Sequence, residues 1–168
     1  MTISMHQIST LTFTRTLTNL AAILNKGAAH AEARKIDPSV FLNSRLAPDM
    51  FPLVRQVQIA TDAVKGCAAR LAGVDIPSFA DTEASFPELL ERIAKTQAFL
   101  NGISAAQLEG SEDRTVTLKI RGNDVQFQGL PYLTGFVLPN LFFHVTTAYA
   151  ILRHNGVELG KMDYLGNS

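Results

Sequence analysis

Taken as a string of apolar and polar positions, the chain opens with the rhythm of an α-helix. Between residues 5 and 26, Phe13, Leu17, Leu20 and Leu24 are spaced by four and three residues, and the same spacing run backwards meets Thr10 and His6. Such a stripe predicts a bundle helix with one face turned inward. Asp37-Pro38 then offers an N-cap followed by proline at the first helical position, so PSVFLNSRL is expected to form a turn or two. From Asp49 to Leu71 or Ala72, the positions Met50, Val54, Val57, Thr61, Val64, Ala68 and Leu71 keep an unbroken four-three alternation, and Gly73 ends it. That pattern predicts a long helix crossing its neighbours at a shallow angle. After the linker VDIPSFADTEA, Ser85-Phe86-Pro87-Glu88 has the form of a capping box. It opens a helix through Phe86, Leu89, Leu90, Ile93 and Leu100, closed by Asn101-Gly102.

Beyond the acidic loop EGSED the period changes from helix to strand. Val116, Leu118 and Ile120 alternate in RTVTLKI, Arg121-Gly122-Asn123-Asp124 turns the chain, and Val125 and Phe127 alternate on the return. This predicts a β-hairpin. Residues 125–152, VQFQGLPYLTGFVLPNLFFHVTTAYAIL, then contain no Asp, Glu, Lys or Arg. A membrane span needs about 20 predominantly apolar residues. This stretch is broken by Gln126, Gln128, Thr134, Asn140, His144, Thr146, Thr147, Pro131 and Pro139, with no basic cluster beside it. From Leu133 onward, Val137, Leu141, His144, Ala148 and Ile151 share one stripe, widened by Phe136, Phe143 and Leu152. A central core helix surrounded by protein is expected, kinked or divided at Pro139 and ended by Arg153, His154 and Gly156. The fold class is therefore mainly α: a four-helix bundle with a small β-hairpin inserted before the last helix.

A chain of 168 residues is expected to form one domain over 1–168 and to bury roughly 70% of its unfolded surface. Lys plus Arg and Asp plus Glu both number 15, so no net field favours nucleic acid or an anionic membrane. Only 18% of residues are charged while 46% are apolar, a balance that favours self-association. The single cysteine, Cys67, cannot form an intrachain disulfide, and the N-terminus lacks the basic and apolar regions of a secretion signal. A cytoplasmic protein is expected.

His144 raises the question of a metal. A second ligand on the same helix face would stand three or four residues on, where the chain has Thr147 and Ala148. His154 lies about 15 Å further along the axis. His6, on the inward stripe of the first helix, is the histidine placed to meet His144 across the bundle, while His30 is expected beyond that helix and exposed. Cys67 is expected to be a small buried apolar residue. No Ser/His/Asp order, phosphate loop or pair of catalytic carboxylates stands out.

The segments RLAPDMFPLVRQVQIATDAVKG, ARLAGVDIPSFADTEASF, EGSEDRTVTLKI and LPNLFFHVTTAYAILRHNGVELGKMDYLG resemble a bacterial and fungal family across essentially the whole chain. It is domain-of-unknown-function family nineteen-ninety-three, grouped with the DinB/YfiT-like proteins. The resemblance implies a DinB-like four-helix bundle, commonly a homodimer, in a superfamily where many members bind a divalent metal through three histidines. It implies no established activity for this branch. The superfamily's last helix carries HxxxH; His144 matches the first position, but Ala148 stands at the second. The third ligand would come from the long second helix, where only Gln56, Gln58 and Asp62 are available and residues 51–73 contain no histidine. A neutral amide is a poor ligand for zinc or nickel.

Candidate ligand-binding residues are His144, Gln56, His6, Asp49, Arg45 and Tyr149. Gln56 lies beside Leu53, Ala60, Ala63 and Cys67, where it serves as a buried packing bond or a ligand contact. Asp49 is expected to cap its helix through the N–H of Phe51, and with Arg45 offers an alternative polar site. Tyr149 and Arg153, one turn apart, suit a surface or interface pair. The expectation is a metal-free DinB-like bundle that uses no cofactor. It binds a small apolar or amphipathic ligand among Thr10, Gln56, Thr61 and His144, or acts through a dimer interface. Nucleic acid and membrane are not expected partners. The alternatives are a divalent-metal enzyme, a thiol transferase or hydrolase with His144, His6 and Asp62 as ligands, and a structural or regulatory interaction module.

Overall fold

The inward stripe of the N-terminal segment takes shape in α1 (Thr12–Arg34), entered through a wider π turn at Gln7–Leu11, in a computed structural model describing residues 3–166. Phe13, Leu17, Leu20 and Leu24 are fully buried. The helix outruns its expected end near Lys26 because small residues continue the stripe: Gly27 and Ala31 are buried too, and Lys35 closes it at φ 55. A Cβ at Gly27 would lie 3.1 Å from Leu152, so the glycine permits close helix packing. His30 is thereby held inside α1, half-buried and edge-on to Phe41 at 5.8 Å, rather than exposed beyond the helix. Asp37 caps the short α2 (Pro38–Leu42) by accepting the Ser39 N–H at 2.8 Å, which holds its carboxyl below the ordinary range.

The long helix α3 (Leu53–Ala72) starts later than its apolar rhythm suggests. Pro52 is its N-cap and supplies no side-chain bond. A residue before proline is driven out of the α region, so Phe51 cannot begin the helix. Asp49 therefore caps nothing; it is exposed in a turn closed by the Met50 N–H on the Ala47 carbonyl at 3.0 Å. From Val57 on, the stripe of Thr61, Val64, Ala68 and Leu71 is fully buried, and Gly73 ends the helix at φ 69. Ser85 caps α4 (Phe86–Asn101) through the Glu88 N–H at 3.3 Å, and the Glu88 carboxylate reaches back to the Ala84 N–H at 2.7 Å.

Strands β1 (Thr115–Ile120) and β2 (Asn123–Gln128) pair antiparallel, with Val116 opposite Phe127 and Leu118 opposite Val125. Arg121 and Gly122 turn between them at φ 50 and 83, the positive values a tight hairpin demands. The final rod comprises a single turn α5 (Gly129–Pro131), π turns over Tyr132–Val137, and α6 (Leu138–His154). Pro139 has no N–H to extend the helical ladder, and the chain just before it widens to π geometry. Gly129 is fixed by contact: a Cβ there would lie 1.8 Å from the Ser111 carbonyl oxygen. Helix α6 packs along α3, α4 packs on α1 and α3, and α1 also meets α6, completing a four-helix bundle with its core between them. The short α7 (Lys161–Leu165) folds back on α1, held by Asn19 on the Tyr164 carbonyl at 3.0 Å and by Lys26–Asp163 at 2.6 Å.

The final rod departs from the expected surrounded helix. Only 44% of its most apolar window is buried, and Phe136, Phe142 and Phe143 are 36%, 40% and 56% exposed. Its inner stripe belongs to the core, while an uncharged outer face looks away from it.

Candidate functional site

The end of strand β1 borders the groove between α3 and the final rod, and the three together line a cleft of about 480 Å³. The α3 wall presents Arg55, Ile59, Asp62, Ala63 and Arg70, roughly one helix face. The roof is Leu118, Lys119 and Ile120, and the far wall is Tyr132, Phe136, Val137 and Asn140. The volume suits a small molecule, and apolar walls with a few convergent polar groups are the usual make-up of such sites. Tyr132 is 2% exposed, and its phenol oxygen accepts a bond from Arg70 Nη1 at 3.3 Å. Burial chiefly pushes the Tyr132 pKa up to about 12, so the phenol stays neutral.

One turn of α6 beyond Asn140, His144 meets Gln56. The Gln56 Nε2 donates to the Phe51 carbonyl at 2.9 Å, which turns its Oε1 toward His144 Nδ1 at 2.7 Å. An amide oxygen only accepts, so Nδ1 carries the proton and Nε2 holds the lone pair. Gln56 thus ties α6 to the exposed start of α3, the packing bond of the two roles open to it. Burial pushes the His144 pKa down, and the nearby Arg55 charge adds to the effect.

The other candidate residues lie elsewhere. His6 lines a separate, more apolar groove of about 570 Å³ with Met5, Ala105, Leu108 and Leu130, at the end of the bundle where the final rod begins. From Leu130 to His144 the rod rises about 20 Å, so the two imidazoles cannot share an ion. Asp62 is engaged by Arg92 at 2.8 Å and Lys65 at 2.9 Å. Among the described residues no group of three or more His, Cys, Asp or Glu is placed to hold a metal ion. The donor set therefore does not fit the three-histidine centre. Arg45 is exposed and donates to the Met50 carbonyl at 3.3 Å, not to Asp49. Tyr149 packs edge-on to Tyr164 at 6.3 Å and is spent on the C-terminal segment. Thr10 lies beside Ser9, whereas Thr61 accepts from Arg92 Nε at 2.8 Å, so the inward polar set is scattered over three places. Cys67 is fully buried, and burial pushes its thiol up, keeping it inert.

Two features escaped the sequence pattern. Arg92 is buried in α4 and binds Asp62, Asp81 and Glu83, tethering the linker at 73–85 to the bundle. Burial opposes its charge, but the bond to Glu83 and the surrounding carboxylates outweigh that and raise its pKa. Asp62 and Asp81 stay partly in water, so Glu83, 11% exposed, is the carboxylate most dependent on Arg92. Its signal was a lone arginine at an inward position between Leu89 and Thr96, facing an acid-bearing linker. The second is the pair Arg70–Tyr132, joined from segments too distant in sequence to form a motif.

His144 yields a pH prediction. Its folded pKa lies below the unfolded value of about 6.5, so its contribution is complete above that pH and is lost as pH falls toward the folded pKa. His144→Asn keeps an N–H near the Nδ1 position and cannot titrate. Between about pH 8 and about pH 5, the melting temperature of the wild type should fall more steeply than that of the variant. Parallel curves would remove His144 from the acid response.

A family model described as a domain of unknown function (DUF1993) matches residues 5–165. A solved structure of a DinB family member protein from Shewanella denitrificans superposes with a TM-score of 0.90 at 43% identity, covering 97% of this chain and 92% of that one. Comparison with curated proteins gave no match. The match along almost the whole chain, together with the shared bundle, shows that this chain belongs to the DUF1993 family of DinB-like proteins.

Proposed function

We propose that this protein is a ligand-binding bundle that takes a small amphipathic molecule into the cleft between α3, β1 and the final rod. The observation that carries this is the mixed lining: Ile59, Ala63, Ile120 and Phe136 offer apolar contact beside the polar Arg70 and Asn140. The site is built by α3, β1 and the final rod and needs neither His6 nor a metal. The neutral fluorophore N-phenylnaphthylamine should brighten on binding the wild type and be displaced by medium-chain amphiphiles. Ala63→Trp, which fills the cleft, should weaken dye binding at least about tenfold while leaving the circular dichroism unchanged. Undiminished binding by Ala63→Trp would place the dye elsewhere and defeat the proposal.

A second proposal rests on the outer face of the final rod. Gly135, Pro139, Phe142, Thr146 and Ala150 follow one another at helical spacing with no charge among them, and Phe142 is 40% exposed. Such a face supports a homodimer in which two rods pack against each other around a two-fold axis. The wild type should sediment as a dimer and Phe142→Glu as a monomer, since the substitution would bury an unpaired charge. A monomeric wild type at micromolar concentration, or a dimer that survives Phe142→Glu, would contradict it.

A further inference from the structure

The cleft is electrically lopsided, and we propose that it selects a monovalent carboxylate carried on an apolar tail or ring. This rests on the cleft being the ligand site. Of the charged groups that line it, Asp62 is neutralised by Lys65 at 2.9 Å and Arg92 at 2.8 Å. Arg55 is paired with Asp81. Arg70 remains, and among the described residues it forms no salt bridge with a carboxylate. Lys119 alternates with the inward Leu118 and Ile120 and shares the outer face of the hairpin with Asp124, so it is not aimed at the cleft. An anion in the cleft would therefore meet the Arg70 guanidinium on the α3 wall, with no unpaired carboxylate opposing it.

Arg70 is held for this task rather than waving in solvent. It is half-buried, and its one hydrogen bond goes to the buried Tyr132 phenol at 3.3 Å. Gly66, one turn earlier, lets the guanidinium lie back along α3: a Cβ there would be 2.6 Å from Arg70 Nη1. One N–H is used on Tyr132, and the rest of the planar fork is available to a carboxylate in paired geometry. A phosphate dianion would bring two negative charges to one guanidinium, whereas a carboxylate is balanced by Arg70 alone. Ile59, Ala63 and Phe136 would enclose the apolar remainder.

Three probes with one chain length separate charge from apolar contact: octanoate, octanamide and octylamine, each competing with N-phenylnaphthylamine. Octanoate should displace the dye at about a tenfold lower concentration than octanamide, with octylamine weakest. Arg70→Gln should bring octanoate to within about twofold of octanamide and leave octanamide unchanged. Should Arg70→Gln fail to fold, Asn140→Asp, which sets a negative charge on the opposite wall of the cleft, should cost octanoate about tenfold with octanamide nearly unaffected. Equal displacement by octanoate and octanamide in the wild type would overturn the charge selectivity while leaving the ligand cleft standing, as would a preference that survives these substitutions. Failure of all three to displace the dye would remove cleft and selectivity together.

Discussion

The structure hangs on the packing of one uncharged rod against α3. A helix with no Asp, Glu, Lys or Arg from Gly129 to Leu152 must find protein for its apolar groups and partners for its polar ones. Tyr132, Leu133, Val137, Leu141, Ala148 and Ile151 are buried on its inner face. Among the described residues no buried side-chain polar atom lacks a hydrogen bond. At one end the contact is registered by His144 on Gln56 at 2.7 Å, and at the other by Gly129, which lets the rod start against the Ser111 carbonyl. Between those ends α3 and the rod diverge enough to leave the cleft that β1 roofs.

Two charge-bearing regions divide the work along α3, with Asp62 at their border. In one, Arg92, Lys65, Asp62, Asp81 and Glu83 close upon each other and fix the linker. Lys65 also stacks over Phe79 at 3.9 Å. In the other, Arg70 is offered to the cleft without a carboxylate. The contrast follows from the pairing: the linker carboxylates Asp81 and Glu83 are spent on Arg55 and Arg92, while β1 brings only the apolar Leu118 and Ile120 inward. The unpaired guanidinium on the cleft side is what the proposed preference for a carboxylate rests on.

Much of this was legible in the chain. The four-three alternation located the bundle helices, Asp37 and Ser85 marked their caps, and the change of period marked the hairpin. The start of α3 was misplaced because Met50 continued the apolar rhythm, while the local constraint of Phe51-Pro52 overrode it. The end of α1 was missed because Gly27 and Ala31 carry the stripe with almost no side chain. The outer face of the rod was expected to be covered because periodicity reports apolar positions, not whether a neighbour exists to cover them. The candidate site was less legible. His144 and Gln56 do meet, but the cleft gathers Arg70, Ile120 and Tyr132 from three segments, and only the fold brings them within reach.

The most direct test is an NMR titration of isotope-labelled protein with octanoate, following backbone amides and side-chain methyls. Shifts should concentrate at Ile59, Ala63, Arg70, Ile120, Tyr132 and Asn140, with the Arg70 guanidinium signal moving as the carboxylate arrives. Shifts gathered instead at Met5, Ile8, Ala105 and Leu108, the more apolar groove at the far end of the bundle, would contradict the assignment of the cleft as the ligand site.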